Sequence, residues 1–259
     1  MTAEPTPVFD PPRLRAAVRR IAAKPWRVVE AQHRASTMRL ADTLAEQRLL
    51  EDLLDASKPP LPPDAARLHY LLATPFRYPA PPPAGSRFRA PGDPGVWYGA
   101  AVVETALAEV AYWRLRFLAD SPATPDLPPV PHTAFRASIG GSAIALADAP
   151  FAAVRARWED PASYRATQAL AQAARAAGVA IIRYRSVRDP RHRACHAVLE
   201  PKAFRQSTPL EQHTWWLKVA RTHVVAETGH GSERLAFDPV DLGMPTPGPA
   251  GQASRPDSR

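Results

Sequence analysis

An α+β fold, rather than a doubly wound nucleotide-binding fold, is what this sequence predicts, and three observations lead there. Helical and strand-like periodicities follow one another in mixed order, without βα units of regular length. No G-x-G-x-x-G or G-K-[ST] loop occurs anywhere in the chain. The 259 residues are 45% hydrophobic, which is ample for one buried core. The sequence divides into an N-terminal helical extension with a Pro-rich linker (1–63), a main domain (64–238) and a disordered tail (239–259).

The net charge of +8 comes from 33 Lys and Arg against 25 Asp and Glu, and nearly all of the cations are arginines. Net charge speaks to solubility and non-specific binding rather than to fold, so only arginines that stand in a motif carry functional weight. The single cysteine, Cys195, cannot form an internal disulfide. No run of 18 apolar residues occurs, and a soluble cytoplasmic protein without membrane association is expected.

Residues 1–10 read as disordered. Leu14, Val18 and Ile21 recur at helical spacing, predicting a short helix up to Lys24 before Pro25. A longer helical pattern covers Trp26 to Leu54, with Met38, Leu40, Leu44, Leu49, Leu50, Leu53 and Leu54 as its stripe and Thr43 and Glu46 as a capping box. That stripe lies either on its own domain or at a subunit or partner interface. KPPLPP (58–63) and Pro81 to Pro83 are extended, Pro-rich connections. LHYLLATPFRY, from Leu68, reads as a strand, and Val96 to Gly99 as a short one. Glu104 to Phe117 is the clearest helix, its stripe built from Val103, Ala106, Leu107, Val110 and Phe117.

Ser121 to Pro131 reads as a loop, and His132 to Leu146 as a hairpin-like pair of strands around Gly140 and Gly141. Two helices follow, over Phe151 to Trp158 and Ala162 to Ala177. The second has Asp160 as N-cap, Pro161 at its first position and Gly178 past its end. Val179 to Val187, Cys195 to Leu199 and two runs within Thr214 to Thr228 complete the strands.

Candidate chemistry gathers on a few residues. Arg77 and Tyr78 end the strand from Leu68, Arg87 follows a Gly-containing turn, and Tyr98 precedes the long helix. Glu109 sits at the border of that helix's apolar stripe. Because segments adjacent in sequence usually pack together, these groups can converge into an anion-holding cleft with a carboxylate beside it. Alternation along VAIIRYRS places Ala180, Ile182, Tyr184 and Ser186 on one face and Arg183 and Arg185 on the other, so Ser186 extends an inward face where its hydroxyl needs a partner. Arg188, Arg191 and Arg193 follow in a loop. His192 and His196 have i, i+4 spacing but fall in a turn and a strand, there is no H-E-x-x-H, and one cysteine rules out a thiolate zinc site. No metal site is expected.

Four segments in this order, FRYP, GSRFRAPGDPGVWYGA, ETALAEV and IRYRSVRDP, resemble the RES domain family over roughly residues 65 to 205. The resemblance implies a compact α+β fold related to ADP-ribosyltransferases, an NAD-consuming toxin activity, and an Xre-type antitoxin as partner. It assigns Arg77, Glu109 and Ser186 to catalysis and Arg77, Tyr78, Arg87 and Tyr98 to NAD; Arg188, from a loop that reads as either a phosphate-attracting rim or a solvated turn, is added to the NAD-binding candidates. NAD would be the substrate, with no further cofactor. Where family members read Gly-Arg-Trp-Asn-Pro, this chain has Ser86, Arg87, Phe88, Arg89 and Ala90.

The activity that follows is cleavage of the nicotinamide–ribose bond of NAD by phosphorolysis or hydrolysis, as an NAD phosphorylase or glycohydrolase. ADP-ribosylation of a cellular protein is the alternative, and a non-catalytic nucleic-acid or protein binding module a second one. The acceptor would accordingly be water, inorganic phosphate or a target protein. The N-terminal arm is a candidate homodimer contact.

Overall fold

A computed structural model describes residues 11–31, 41–78 and 85–244. The chain begins with helix α1 (Pro11–Ala17) and strands β1 (Arg19–Ala23) and β2 (Trp26–Glu30), followed by helix α2 (Leu44–Ala56). Next come helix α3 (Tyr70–Arg77), strand β3 (Trp97–Ala100) and the long helix α4 (Val103–Asp120). Strands β4 (Leu127–Arg136) and β5 (Ile139–Ala145) precede helices α5 (Arg155–Trp158) and α6 (Arg165–Ala176). Strands β6 (Ile181–Arg185), β7 (Ala194–Val198), β8 (Glu211–Ala220), β9 (His223–Thr228) and β10 (Arg234–Phe237) follow. Among the described residues these strands form one mixed sheet in the order β1-β5-β6-β7-β3-β2-β4-β8-β9-β10. The α+β class is as expected from the sequence.

Both faces of the sheet are covered. One face packs Val28, Ile182, Tyr184 and Trp215 against Leu107 of α4 and Leu170 of α6. The other packs Trp97, Phe135, Ile181 and Val198 against Leu72 and Phe76 of α3. A third cluster joins Ala111, Leu115 and Leu118 of α4 to Val219, Val224 and Leu242. Complete burial of a side chain such as Leu107 contributes about 1.5–3 kcal/mol, which is why α4 is held along most of its length. At its end, Arg221 donates to the carbonyls of Leu118 in the last turn and of Ser121, Pro122 and Thr124 in the loop that follows, tying that loop to the helix.

Several local expectations are corrected. The N-terminal stretch is not purely helical, since β1 pairs antiparallel with β5, and β2 lies inside the sheet between β3 and β4. In WRVVE the β-branched and aromatic residues favour a strand once β4 is beside them. Among the described residues only α2 matches the second helical pattern, and there the capping box forms: Glu46 N–H donates to Thr43 Oγ1 (3.2 Å) and Thr43 N–H to Glu46 Oε2 (3.0 Å). Leu44, Leu49, Leu53 and Leu54 of α2 are exposed. Met38, Leu40, Pro81 to Pro83 and residues 1–10 lie outside the described residues.

The stretch from Leu68 is helix, not strand. His69 caps α3 through Leu71 N–H, and Leu71, Leu72 and Phe76 bury the helical face that the strand reading had split. Phe117 leaves the buried stripe of α4 and is 49% exposed, whereas Ala111, Leu115 and Leu118 fill the inner face. β4 takes over the end of the expected loop, with an irregularity between Leu127 and Val130 at Pro128 and Pro129. β4 and β5 follow one another but do not pair, so there is no hairpin between them. Asp160 makes a turn by accepting from the N–H groups of Ala162 and Ser163, and α6 starts only at Arg165. Gly178 does follow the helix with φ +73°. Past Asp238, Leu242 is fully buried in the cluster with Leu115 and Leu118; residues 245–259 lie outside the described residues.

Candidate active site

The four-segment pattern converges where α4, the end of β6 and the approach to β3 meet. Ser186 follows β6 on its inward face and is fully buried. Its Oγ donates to Glu109 Oε1 at 2.6 Å and accepts from the backbone N–H groups of Arg188 (3.1 Å) and Asp189 (2.9 Å). The hydroxyl is therefore saturated. One turn nearer the start of α4, Thr105 Oγ1 donates to Asp189 Oδ2 at 2.6 Å, so the helix and the loop after β6 are latched together at two points.

Asp189 is itself buried and receives Arg193 Nε at 2.6 Å. Burial works to raise its pKa, but hydrogen bonds from Arg193, Thr105 and the Arg191 N–H outweigh it and hold the carboxyl below the usual carboxylate range. Glu109 goes the other way. Burial pushes its pKa up, opposed by the Ser186 hydrogen bond and by the charges of Arg87 and Arg188. A carboxylate that is desolvated yet faces a cleft is typical of groups tuned for chemistry.

That cleft has a volume of about 510 Å³ and is lined by Glu109, Arg87, Tyr98, Arg188, Tyr164 and Tyr184, among others. Ala106, Glu109, Val110, Trp113, Arg114 and Phe117 border it successively, so it follows α4 for ~16 Å at 1.5 Å per residue. Its arginines are anchored by neutral acceptors. Arg87 Nη1 donates to the carbonyls of Trp158 (3.1 Å) and Asp160 (3.0 Å), and its guanidinium lies 4.8 Å from the Tyr164 ring centroid. Arg188 Nη2 donates to Pro161 O at 2.7 Å, with the guanidinium 3.6 Å over the Tyr112 ring. Among the described residues neither has a carboxylate within 4.0 Å in a salt bridge, though the charge of both acts on Glu109. Tyr98 lines the cleft with its ring, while its hydroxyl is occupied by Ser86 Oγ (2.7 Å) and Phe88 N–H (3.0 Å).

Of the residues singled out in the sequence, Glu109, Ser186, Arg87, Tyr98 and Arg188 are thus brought together. Arg77 is not. At the end of α3 its Nε donates to Pro59 O at 2.6 Å, and it borders neither this cleft nor the smaller cavity on the α3 side. Tyr78 lies at that smaller cavity instead, and its carbonyl accepts from Arg89. Both displacements follow from the helix, which carries Arg77 in its last turn and ends just before Tyr78, whose backbone is extended.

The arginine that does stand in the cleft is Arg27 of β2, which sequence reasoning missed. Its Nη1 donates to Tyr98 O at 3.0 Å, and its guanidinium lies 5.7 Å from the Trp97 ring centroid. A strand reading of WRVVE would have flagged an arginine alternating with Trp26 and Val28. His132 of β4 also lines the cleft; burial lowers its pKa, so its ring is neutral near pH 7.

Within this α+β domain a desolvated Glu bonded to a Ser lies beside two arginines that no described carboxylate salt-bridges. Comparison with known families sharpens this: the RES domain family model matches residues 61–220, more than half of the chain, and the protein belongs to that family. Membership supports, at the family level, an NAD-related function associated with toxin–antitoxin systems. No curated protein matches the sequence. No described helix is long and apolar enough to cross a membrane.

Proposed function

We infer that this protein is the toxin of a toxin–antitoxin pair and degrades NAD by cleaving its nicotinamide–ribose bond. The observation that carries the reading is Glu109, whose Oε1 is held by Ser186 while its carboxyl faces a cleft bordered by Arg27, Arg87 and Arg188. NAD brings a pyrophosphate and a cationic N-glycosidic bond to such a site. Breaking that bond sends its electron pair to nicotinamide and develops oxocarbenium character on the ribose. The ionised Glu109 stabilises that charge and accepts from ribose hydroxyls; preorganised electrostatics of this kind is usually the largest catalytic contribution.

Arg87, Arg188 and Arg27 take the anionic oxygens, for which planar guanidinium groups fixed by carbonyls are suited. Arg27 assumes the role that the sequence pattern gave to Arg77. Tyr98, Tyr164 and Tyr184 wall the ribose and nicotinamide. Ser186 acts as a positioning residue, since its only proton is committed to the Glu109 carboxylate, which this reading assigns to the ribose. An Xre-type antitoxin that covers the cleft would restrain the activity.

Purified protein is incubated with NAD, with and without phosphate, and nicotinamide is followed by chromatography. Release in both conditions identifies a glycohydrolase, and release only with phosphate a phosphorylase. Labelling of protein in a cell extract supports the ADP-ribosyltransferase alternative. Glu109→Gln should slow nicotinamide release about 10²–10³-fold, the scale of removing one preorganised group from a transition state. No nicotinamide and no labelled protein in any condition would refute the enzyme reading.

A further inference from the structure

The sheet is incomplete beside the active-site cleft. β2 pairs with β4 through five residues, from Trp26 to Glu30, but with β3 only through Trp26 and Ala100. Beyond that pair the two strands separate, and the gap is bridged by Arg27, whose Nη1 reaches Tyr98 O. On the α3 side lies a second cavity of about 240 Å³, lined by Tyr70, Thr74, Tyr78, Arg89 and Thr133. Arg27, Val29 and Glu30 line both cavities, which are therefore neighbours across β2.

Two guanidinium groups converge on this second space, neither salt-bridged by a carboxylate among the described residues. Arg89 is 9% exposed and is held by the carbonyl oxygens of Asp93 (3.2 Å) and Tyr78. Arg27 is held by a carbonyl as well, and its buried Nε has no partner. Among the described residues no carboxylate makes a salt bridge to either. The nearby acids are engaged elsewhere: Glu30 pairs with Arg114, and the Asp93 carboxylate accepts from Ala90 N–H and Gln172. Burial lowers the pKa of both arginines; that of Arg27 falls to about 10, so it is still protonated at neutral pH. Uncompensated charge in a partly desolvated space is unfavourable unless an anion joins it. Tyr70 and Tyr78 line the same space and are 55% and 40% exposed, so aromatic surface is available there to a planar group.

We propose that the cavity between α3 and β2 is a second subsite, which binds a phosphate group next to an aromatic base. The phosphate is either that of the nucleoside half of a dinucleotide whose other half occupies the main cleft, or a free inorganic one. The dinucleotide form rests on the NAD reading given above; the anion subsite itself does not. Arg27, shared by both cavities, would hold the phosphates at the crossing, with the base between Tyr70 and Tyr78.

The full chain is titrated calorimetrically with AMP, inorganic phosphate and nicotinamide riboside, and the titrations are repeated on Thr74→Glu. That substitution sets a carboxylate at the cavity wall on a helix that tolerates glutamate, and thermal melting checks the fold. AMP should bind the wild type and bind Thr74→Glu at least about tenfold more weakly, a 1.4 kcal/mol change, with nicotinamide riboside unaffected. Inorganic phosphate that competes with AMP and is weakened by Thr74→Glu supports the free-anion source; phosphate that does not bind, with AMP weakened, supports the nucleotide source. Arg89→Gln should weaken AMP in the same way if it melts as the wild type does.

Equal AMP binding by a folded Thr74→Glu protein, or no AMP and no phosphate binding at millimolar concentration, overturns the subsite. NAD turnover measured in parallel separates the two ideas. AMP binding sensitive to Thr74→Glu without turnover removes the cleavage reading and leaves the subsite, and turnover with insensitive AMP binding does the reverse.

Discussion

Replacing Ser186 by alanine tests the centre of the site most directly, because one hydroxyl there has both a structural and an electrostatic task. The substitution removes a hydrogen bond to the Glu109 carboxylate (2.6 Å) and leaves the N–H groups of Arg188 and Asp189 without their acceptor. A hydrogen bond to a charged group contributes about 1.5–3 kcal/mol, and a buried donor left unsatisfied costs about 1–3 kcal/mol. Part of this is recovered by relaxation of the loop, so the fold should lose on the order of 3–5 kcal/mol. At about 2–4 °C per kcal/mol for a domain of this size, melting should drop by roughly 10 °C.

A merely structural serine would do that much. The distinguishing result lies in the pH profile. The Ser186 hydrogen bond opposes the burial that raises the Glu109 pKa, so without it the carboxyl should ionise at still higher pH. If the ionised form is the working one, the acid limb of kcat/KM for NAD cleavage moves to higher pH. The assay is nicotinamide release across pH, at a temperature where the variant is folded by circular dichroism. An acid limb that superimposes on that of the wild type, together with lowered melting, would show that Ser186 does not tune Glu109.

Two further outcomes follow from the same pair of carboxylates. Glu109 has its folded pKa raised, so the folded state holds its proton more tightly than the unfolded chain. The associated stability is present below the ordinary carboxylate value of 4.5 and is lost as pH rises through the folded pKa. Urea denaturation of Glu109→Gln and wild type should therefore show the variant gaining relative stability as pH increases from that point, even though its turnover is lost; a difference that does not change with pH would contradict the desolvated placement of Glu109. Asp189 has the opposite sign: its depressed pKa gives stability above its ordinary value of 3.8 that disappears as pH falls through the folded value. Asp189→Asn should cost about 3–5 kcal/mol at neutral pH by leaving the Arg193 partnership without its charge, measured as a lower urea midpoint. It should also flatten the acid limb of the stability curve, and an unchanged midpoint would remove the latch between α4 and the loop after β6.

How much of this was legible before the structure depended on whether the information was local. Glu109 and Ser186 were readable because each sits in an element whose period is unambiguous, α4 with its long apolar face and β6 with strict alternation. The turn after α6 was readable from Gly178 alone, which adopts φ +73°. Arg27 was not readable, since WRVVE satisfies a helical pattern as well as a strand, and what decides for the strand is β4, whose Phe135 lies opposite Arg27. The helix at Tyr70 to Arg77 shows the converse: LLATPFR has strand-like composition, and the His69 cap and the buried positions of Leu72 and Phe76 make it helix.

The order of the strands explains why the site could be recognised as a set of residues yet not as an arrangement. The rule that successive segments pack together holds for β8 and β9 and fails for β4 and β5, which end up on either side of β6, β7, β3 and β2. That long crossing places β2 beside β3, inserts Arg27 where Arg77 was expected, and leaves the opening between the two strands. The serine after β6 reaches the glutamate of α4 because β6, β7 and β3 are consecutive neighbours and α4 packs on β3 and β2. The site is thus a consequence of sheet order, so a substitution that weakens the β6–β7–β3 pairing should separate Ser186 from Glu109 before it disturbs either residue's own element.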